Sequence, residues 1–255
     1  MNTNNKVVLV TGACGDIGKS VVRTYAAQGW ATALVDLNQE TLEKEKQDLH
    51  LSEDMSGIFP CNITKEEEVE EACQKVLDSF QHIDALINVA GICGKYDMAE
   101  YLDYDNFRRI YEVNVFGTFL MMKHVLPIMR TQKSGAIVNF GSVSGMRGYH
   151  SEAAYGSSKW AVIGMTQNIA NEYGEFGIRA NSVSPGWVHT RMMEETLRDY
   201  ETVSEHGCEC QVRLGPMKRP AEPSEIADAV FFLTSEQASF INGVNLLVDG
   251  GKLTD

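Results

Sequence analysis

The sequence predicts one α/β domain spanning residues 1–255, built on a parallel sheet of seven strands with helices over both faces. Three observations carry that expectation. Short apolar runs rich in β-branched residues alternate with helical patterns along the whole chain. The first run breaks at a glycine-rich turn that opens a helix, and no repeat, low-complexity tract or linker interrupts the alternation. With 255 residues and 44% hydrophobic composition, the chain can bury a large core.

Residues 6–11 (KVVLVT) are an apolar, β-branched run ending at Gly12, the mark of a buried parallel strand. Residues 17–28 are helical, and 31–35 give a second strand that ends at Asp36. A charged helix at 41–49 precedes a strand near 57–61. The helix at 65–80 is amphipathic, with Val69, Ala72, Cys73, Val76, Leu77 and Phe80 on one face and a solvated acidic face opposite. A fourth strand (83–89), a long helix (106–129), a fifth strand (136–140) and a helix (157–173) follow. Residues 178–183 form the sixth strand, 224–233 a helix and 244–248 the seventh strand. Residues 187–220 fit no element; the stretch is too long for an ordinary connection and reads as an irregular substrate lid.

The formal net charge of −13 disfavours nucleic acid, anionic membrane and strongly acidic protein partners. No apolar run is long enough to span a bilayer, and the first residues lack the pattern of a signal peptide, so a soluble cytoplasmic protein is expected. Cys14, Cys61, Cys73, Cys93, Cys208 and Cys210 show no repeated Cys-x-x-Cys spacing, which predicts neither a disulfide scaffold nor a metal site. Without a signal peptide, the sequon Asn62-Ile63-Thr64 has no glycan to receive.

Thr11-Gly12-Ala13-Cys14-Gly15-Asp16-Ile17-Gly18 stands where the first strand turns into the first helix. Glycines there permit a tight turn and close approach of backbone to a pyrophosphate, whose charge the helix N-terminus meets. Asp36, closing the second strand, suits the adenosine ribose hydroxyls and repels a 2′-phosphate. Positions 13–16 and Leu37 supply no cation to offset that phosphate, although Lys19 reaches partway; the expected cofactor is NAD.

Tyr155 and Lys159 stand one helical turn apart, so phenol and ammonium can share a pocket. Positive charge beside the phenol favours the phenolate and brings its proton within reach of general acid/base work near neutral pH. The same spacing also occurs on solvated helix faces.

With these residues placed, the chain resembles the single-domain short-chain dehydrogenase/reductase family over almost its whole length. The glycine turn, Asn88-Val89-Ala90-Gly91, Asn114, Ser142, Tyr155 with Lys159, Pro185-Gly186 with Thr190, and Asp249-Gly250-Gly251 occur in the family's order. The resemblance implies a Rossmann-like doubly wound sheet and NAD(P)-dependent alcohol/carbonyl chemistry. It implies catalytic roles for Asn114, Ser142, Tyr155 and Lys159: Tyr155 exchanges the substrate proton, Lys159 lowers its pKa and holds the nicotinamide ribose, Ser142 orients the substrate oxygen, and Asn114 holds a helix distortion and a proton path. Cofactor contacts are implied at Gly12, Gly15, Asp16, Ile17 and Gly18; at Asp36, Leu37, Asn62 and Ile63; and at Asn88, Ala90, Gly91, Pro185, Val188 and Thr190, besides Tyr155 and Lys159. Two positions depart from the family: Val89 replaces a second asparagine, and Asn62 replaces an aspartate that contacts the adenine amine, a bond an amide oxygen can also accept.

Ser144, Met146, Tyr149, His150, Trp187, Met192 and Met193 are candidate substrate-lining residues, with Arg147 a candidate anion contact. Their methionines and aromatics suit an apolar or cyclic alcohol or ketone. An acyl-carrier-protein reductase shares the framework but calls for NADPH and a basic docking surface; a catalytically silent NAD-binding regulator would have dispensed with Tyr155 or Lys159. The family's tetramers pair two long helices, here 106–129 and 157–173, with Phe107, Tyr111, Phe119 or Trp160 expected on the outer faces.

Overall fold

The structure, a computed structural model, describes residues 5–203 and 213–254. Seven parallel strands run in the order β3-β2-β1-β4-β5-β6-β7. They are β1 (Val7–Thr11), β2 (Ala31–Asp36), β3 (Ser56–Pro60), β4 (Ala85–Asn88), β5 (Gly135–Phe140), β6 (Ile178–Pro185) and β7 (Asn245–Val248). Every residue of β1, β4 and β5 is buried, which is why these strands read as continuous apolar runs rather than alternating ones.

Helices α1 (Asp16–Ala27) and α8 (Pro223–Thr234) cover one face, where Val21, Tyr25, Ile226 and Val230 pack against Val8, Val10 and Val138. On the other face α3 (Glu66–Phe80), α5 (Thr118–Gln132) and α6 (Ala153–Tyr173) bury Val76, Met121, Val125 and Ile169 against Leu9, Leu86 and Ile137. The remaining helices are α2 (Gln39–Asp48), α4 (Tyr104–Tyr111) and α7 (Arg191–Val203). Strand order reverses between β1 and β4, whose last residues Thr11 and Asn88 are register partners. In an open sheet of this kind, the crevice beyond the strand ends at that reversal is the place for a ligand.

Two expected elements differ. The long helix at 106–129 is α4 and α5 joined by a π-helical turn, Glu112–Gly117. Asn114, in that turn, is drawn off regular helix by three bonds: its Nδ2 donates to the Ile92 carbonyl (2.9 Å) and to Ser158 Oγ (3.0 Å), and its Oδ1 accepts from the Ile92 N–H (2.8 Å). The stretch 187–220 is not wholly irregular, because it contains α7. Thr196, Tyr200 and Val203 line the inner side of α7, and Val203 and Tyr200 pack with Cys93, Tyr96 and Tyr155. That stripe is spaced four and three residues apart and is interleaved with charges, so the segment reads as polar. Cys208 and Cys210 lie outside the described residues. Among the described residues, no helix is long and apolar enough to cross a membrane, and no cluster of His, Cys, Asp or Glu could hold a metal ion.

Candidate active site

A cleft of about 520 Å³ opens at the strand reversal. Its floor is the glycine turn. Gly12 has φ +65°, and a Cβ there would stand 2.8 Å from the Ala90 backbone; a Cβ on Gly18 would overlap the Gly12 carbonyl. Gly15 is the N-cap of α1. The N–H groups of Ala13, Cys14 and Gly15 are bonded within the protein, and the turn brings the N-terminus of α1 to the cleft, a cradle that fits a pyrophosphate. Asp16, Ile17, Asp36, Leu37, Asn62, Ile63, Ala90, Gly91 and Thr190 line the same cleft.

The Asp36 carboxylate is held in place by two backbone donors, Cys14 N–H at 2.9 Å and Leu37 N–H at 2.8 Å. Lys19, the cation expected to reach partway towards a phosphate, is bound to the buried Glu45 at 2.7 Å. Arg191 lines the cleft and is turned to Asp16 (3.7 Å) and to the Cys14 carbonyl (3.4 Å). Two expected contacts are placed differently. Asn62 Oδ1, assigned to an adenine amine, already accepts from Thr64 N–H (3.1 Å) and Thr64 Oγ1 (2.8 Å) in a local Asx turn. Asn88 is buried beneath the cleft rather than lining it: its Nδ2 donates to Asn139 Oδ1 (2.8 Å), and Asn139 Nδ2 donates in turn to Thr166 Oγ1 (2.9 Å), tying β4, β5 and α6 together.

Behind the cleft lies a smaller cavity of about 140 Å³; Ile17, Val89, Gly91, Thr190 and Met192 line both. Its wall carries Ser142, Tyr155 and Lys159. Ser142 follows β5, and Tyr155 and Lys159 occupy successive turns of α6, which begins four residues earlier than its sequence suggests. The Ser142 hydroxyl stands near enough to the Tyr155 phenol to favour its phenolate, and Ser142 Oγ accepts from the Ser144 N–H at 3.2 Å. Lys159 Nζ donates to the Phe140 carbonyl (2.9 Å) and stands 5.6 Å from the centre of the Tyr155 ring. A Cβ on Gly91 would sit 3.2 Å from Asn114 Oδ1 and 3.3 Å from Lys159 Nζ, so a side chain at this position would press on both groups.

Burial dominates the protonation of these groups. It pushes the Tyr155 phenol above its ordinary range, against the opposing influence of the Ser142 hydroxyl. It also pulls the Lys159 ammonium down to about 8. Desolvation of the phenolate is the largest influence on Tyr155 here, and the Lys159 ammonium stands beside its ring.

Of the candidate substrate residues, Ser144, Trp187, Met192 and Met193 line the cavity. Met146 does not: it is 40% exposed, and its sulfur accepts from Asn245 Nδ2. Tyr149 and His150 line a separate depression with Trp160, and Arg147 is exposed. Sequence reasoning missed Tyr96, Glu152, Thr196 and Lys252, all on the cavity wall. For Glu152 a signal existed, since it stands three residues before Tyr155 and so shares its helix face; Lys252 reaches the wall from the far end of the chain and left none.

A family model described as enoyl-(acyl carrier protein) reductase matches residues 12–252. Levodione reductase of Leifsonia aquatica is 35% identical, covering 97% of this chain and 94% of its own. A crystal structure of levodione reductase superposes with a TM-score of 0.92 at 33% identity, covering 99% of each chain. Cyclohexanol dehydrogenase of Acinetobacter sp. (strain SE19) is 33% identical over 97% of this chain and 94% of its own. The chain belongs to the short-chain dehydrogenase/reductase family. It is thus an oxidoreductase of a family that binds nicotinamide cofactors, and its single Rossmann-like domain is the one that family builds.

Proposed function

We propose that this short-chain dehydrogenase/reductase interconverts a small secondary alcohol, cyclic in the first instance, and its ketone, with NAD(H) as the redox partner. The observation that carries the reading is that Ser142, Tyr155 and buried Lys159 stand together on the wall of a cavity that shares Ile17, Val89, Gly91, Thr190 and Met192 with the glycine-turn cleft. A nicotinamide held beside this cavity would supply the two-electron acceptor, or donor, for the carbon-bound hydrogen of the carbinol. Tyr155 Oη takes the hydroxyl proton in oxidation and gives it back in reduction. Ser142 holds the substrate oxygen against Tyr155, Lys159 supplies positive charge and holds the nicotinamide ribose, and Asn114 keeps the π turn through which the proton path to solvent runs. The names of the relatives, cyclohexanol dehydrogenase and levodione reductase, support a cyclic substrate.

NAD rather than NADP is supported by the fixed Asp36 carboxylate and by the commitment of Lys19 to Glu45. The net charge of −13 opposes docking of an acidic acyl carrier. Free Cys14, Cys61, Cys73 and Cys93 fit a reducing, cytoplasmic setting. Exposed Phe116, Phe119 and Trp160 on the outer helix faces support a homotetramer, whereas Phe107 and Tyr111 are half-buried and stack on each other; sedimentation at the 28.3 kDa monomer mass alone would refute it. The test of the activity is kcat/KM for NAD and NADP over a panel of secondary alcohols and cyclic ketones. Turnover with NAD is expected; no turnover with either cofactor would end the dehydrogenase reading, and equal or better use of NADP would end the NAD assignment.

A further inference from the structure

Glu152 is an anomaly in a cavity otherwise furnished for alcohol chemistry. The residue is 9% exposed, holds the N-cap position of α6 without a side-chain bond to the helix N–H groups, and lines the same cavity as Tyr155. One carboxylate oxygen, Oε1, accepts from the Tyr200 hydroxyl at 3.1 Å. The other, Oε2, is fully buried without a hydrogen-bond partner, and the Ser144 side chain stands near enough to favour the carboxylate. The indole N–H of Trp187, on the same wall, is likewise buried without an acceptor. A buried unpartnered acceptor and a buried unpartnered donor each carry a desolvation penalty, and such groups persist where a ligand completes them. Both residues line one cavity, and an unpaired acceptor with an unpaired donor matches a hydroxyl, which donates one bond and accepts another.

The charges around Glu152 narrow the class. Lys252 also lines the cavity, its ammonium held 4.8 Å from the Tyr149 ring and 5.0 Å from the Trp187 ring. Glu152 and Lys252 attract each other, and burial raises the pKa of the first and lowers that of the second. A substrate carboxylate would meet Glu152 and a substrate amine would meet Lys252, so a neutral polar group is the one that neither repels. Glu152 stands three residues before Tyr155 at the start of α6 and lines the same cavity, so one small substrate can meet both side chains.

We propose that the substrate carries a second, neutral hydroxyl near the reacting carbinol, and that this hydroxyl donates to the Glu152 carboxylate. Resting on the dehydrogenase reading above, this replaces a simple apolar alcohol with a small diol or polyol. A site built to bind a hydroxyl discriminates strongly against the analogue lacking it, because the buried groups are then left unpaired.

The test compares kcat/KM of the purified protein, with NAD and with NADP, for cyclohexanol, the 1,2- and 1,3-cyclohexanediols, 3-hydroxycyclohexanecarboxylate and 3-aminocyclohexanol. At least one diol is expected to exceed cyclohexanol by about tenfold or more. In Glu152→Leu that diol-to-monoalcohol ratio should collapse towards unity, while Glu152→Gln, which keeps an acceptor oxygen and the shape, should retain a good part of it. Equal use of diols and cyclohexanol, or preference for the carboxylate or the amine, would overturn the proposal and leave the dehydrogenase reading standing. A ratio unchanged in Glu152→Leu would overturn it too, whatever the variant does to overall rate. Turnover of none of the five would remove the dehydrogenase reading and this one with it.

Discussion

The nucleotide cleft and the substrate cavity share a boundary at Ile17, Val89, Gly91 and Thr190, yet they are made of different material. The cleft is largely main chain: a turn at φ +65°, a helix N-terminus, and a carboxylate pinned by two backbone N–H groups. Its polar side chains are engaged within the protein, Asn62 in its own Asx turn and Lys19 on Glu45, and the N-terminus of α1 is left to meet the ligand. The cavity is largely side chain, assembled from the loop after β4, the loop after β5, the start of α6, α7 and the last turn of the chain. It keeps polar atoms of Glu152 and Trp187 unpartnered. A cofactor shared by a whole family is met by geometry that side chains cannot vary, and a substrate that differs between members is met by side chains that can.

The largest break in this contrast is expected where the two regions exchange a proton. Tyr155→Phe removes one oxygen from the cavity and nothing from the cleft. Turnover should fall by about 10²- to 10⁴-fold, the usual worth of a positioned acid/base, with NADH affinity retained within about threefold in a fluorescence titration. Because burial holds the Tyr155 phenol above its ordinary pKa, the base form needed for alcohol oxidation is scarce at neutral pH and grows with pH. Oxidation by the parent protein should therefore climb between about pH 7 and about pH 10, while ketone reduction, which needs the protonated phenol, should not. Near-parental kcat in the variant would remove Tyr155 from the mechanism.

The second break falls on the cleft alone. Gly12→Ala puts a Cβ into a left-handed position and against the Ala90 backbone, which cannot retreat without moving the chain between β4 and Gly91. Such strain costs about 1–3 kcal/mol. Cofactor affinity should weaken by about tenfold or more, with a lower melting temperature. Thr196→Ala, on the cavity roof, removes a hydroxyl that donates to the Met192 carbonyl within α7 (2.9 Å) and should leave cofactor affinity unchanged. Equal effects of the two changes on cofactor binding would erase the distinction between the regions.

That division also decides how much the sequence reveals. Gly12, Gly18 and Asp36 are legible because the turn and the strand end demand those residue types within one short span, whatever the rest of the fold does. Tyr155 with Lys159 is legible through helical spacing. The π turn at Asn114 is not, since its cause is a set of bonds to Ile92 and Ser158, far away in sequence. Helix α7 hides its buried stripe among charges, and Lys252 joins the cavity only through the packing of the C-terminus on the Trp187 loop. Asn88 shows the reverse error: its motif is right and its placement wrong, because sequence order does not say on which side of a strand end the amide turns.

Cofactor choice sharpens the comparison from the cleft side. Replacing Asp36 by Ala and Leu37 by Arg removes a fixed negative charge and adds a guanidinium at a position 68% exposed on the cleft rim. Unit charges about 4 Å apart interact by roughly 4 kcal/mol at an effective dielectric near 20, and even a third of that is about tenfold. The ratio of kcat/KM for NADP to that for NAD should rise by at least about tenfold, while the diol-to-monoalcohol ratio set in the cavity stays put. A double variant whose substrate preference moves with its cofactor preference would show that the two sites are not separately built.

The smallest effect is one of stability, and it reads the cost of the cavity directly. Lys159 is buried, and its ammonium is pulled from the ordinary 10.5 down to about 8. Below about pH 8 both folded and unfolded chains hold the proton, and the folded state bears the full cost of a desolvated charge. Between about 8 and 10.5 the unfolded chain keeps a proton that the folded one has released, so stability gains from this group as pH rises. Lys159→Met removes the charge in both states. The variant should therefore melt higher than the parent at neutral pH, by a few degrees at the usual scale of about 2–4 °C per kcal/mol for a chain of this size. The gap should narrow steadily as pH climbs through that window. Other titrations cancel in the difference, since the Cys14, Cys61 and Cys73 thiols, pushed up to about 12 by burial, behave alike in both proteins. A melting difference that stays constant from neutral pH to 10.5 would mean that Lys159 carries no desolvation cost in the folded state, and the case that burial governs protonation in this cavity, for Tyr155 as for Lys159, would lose its support.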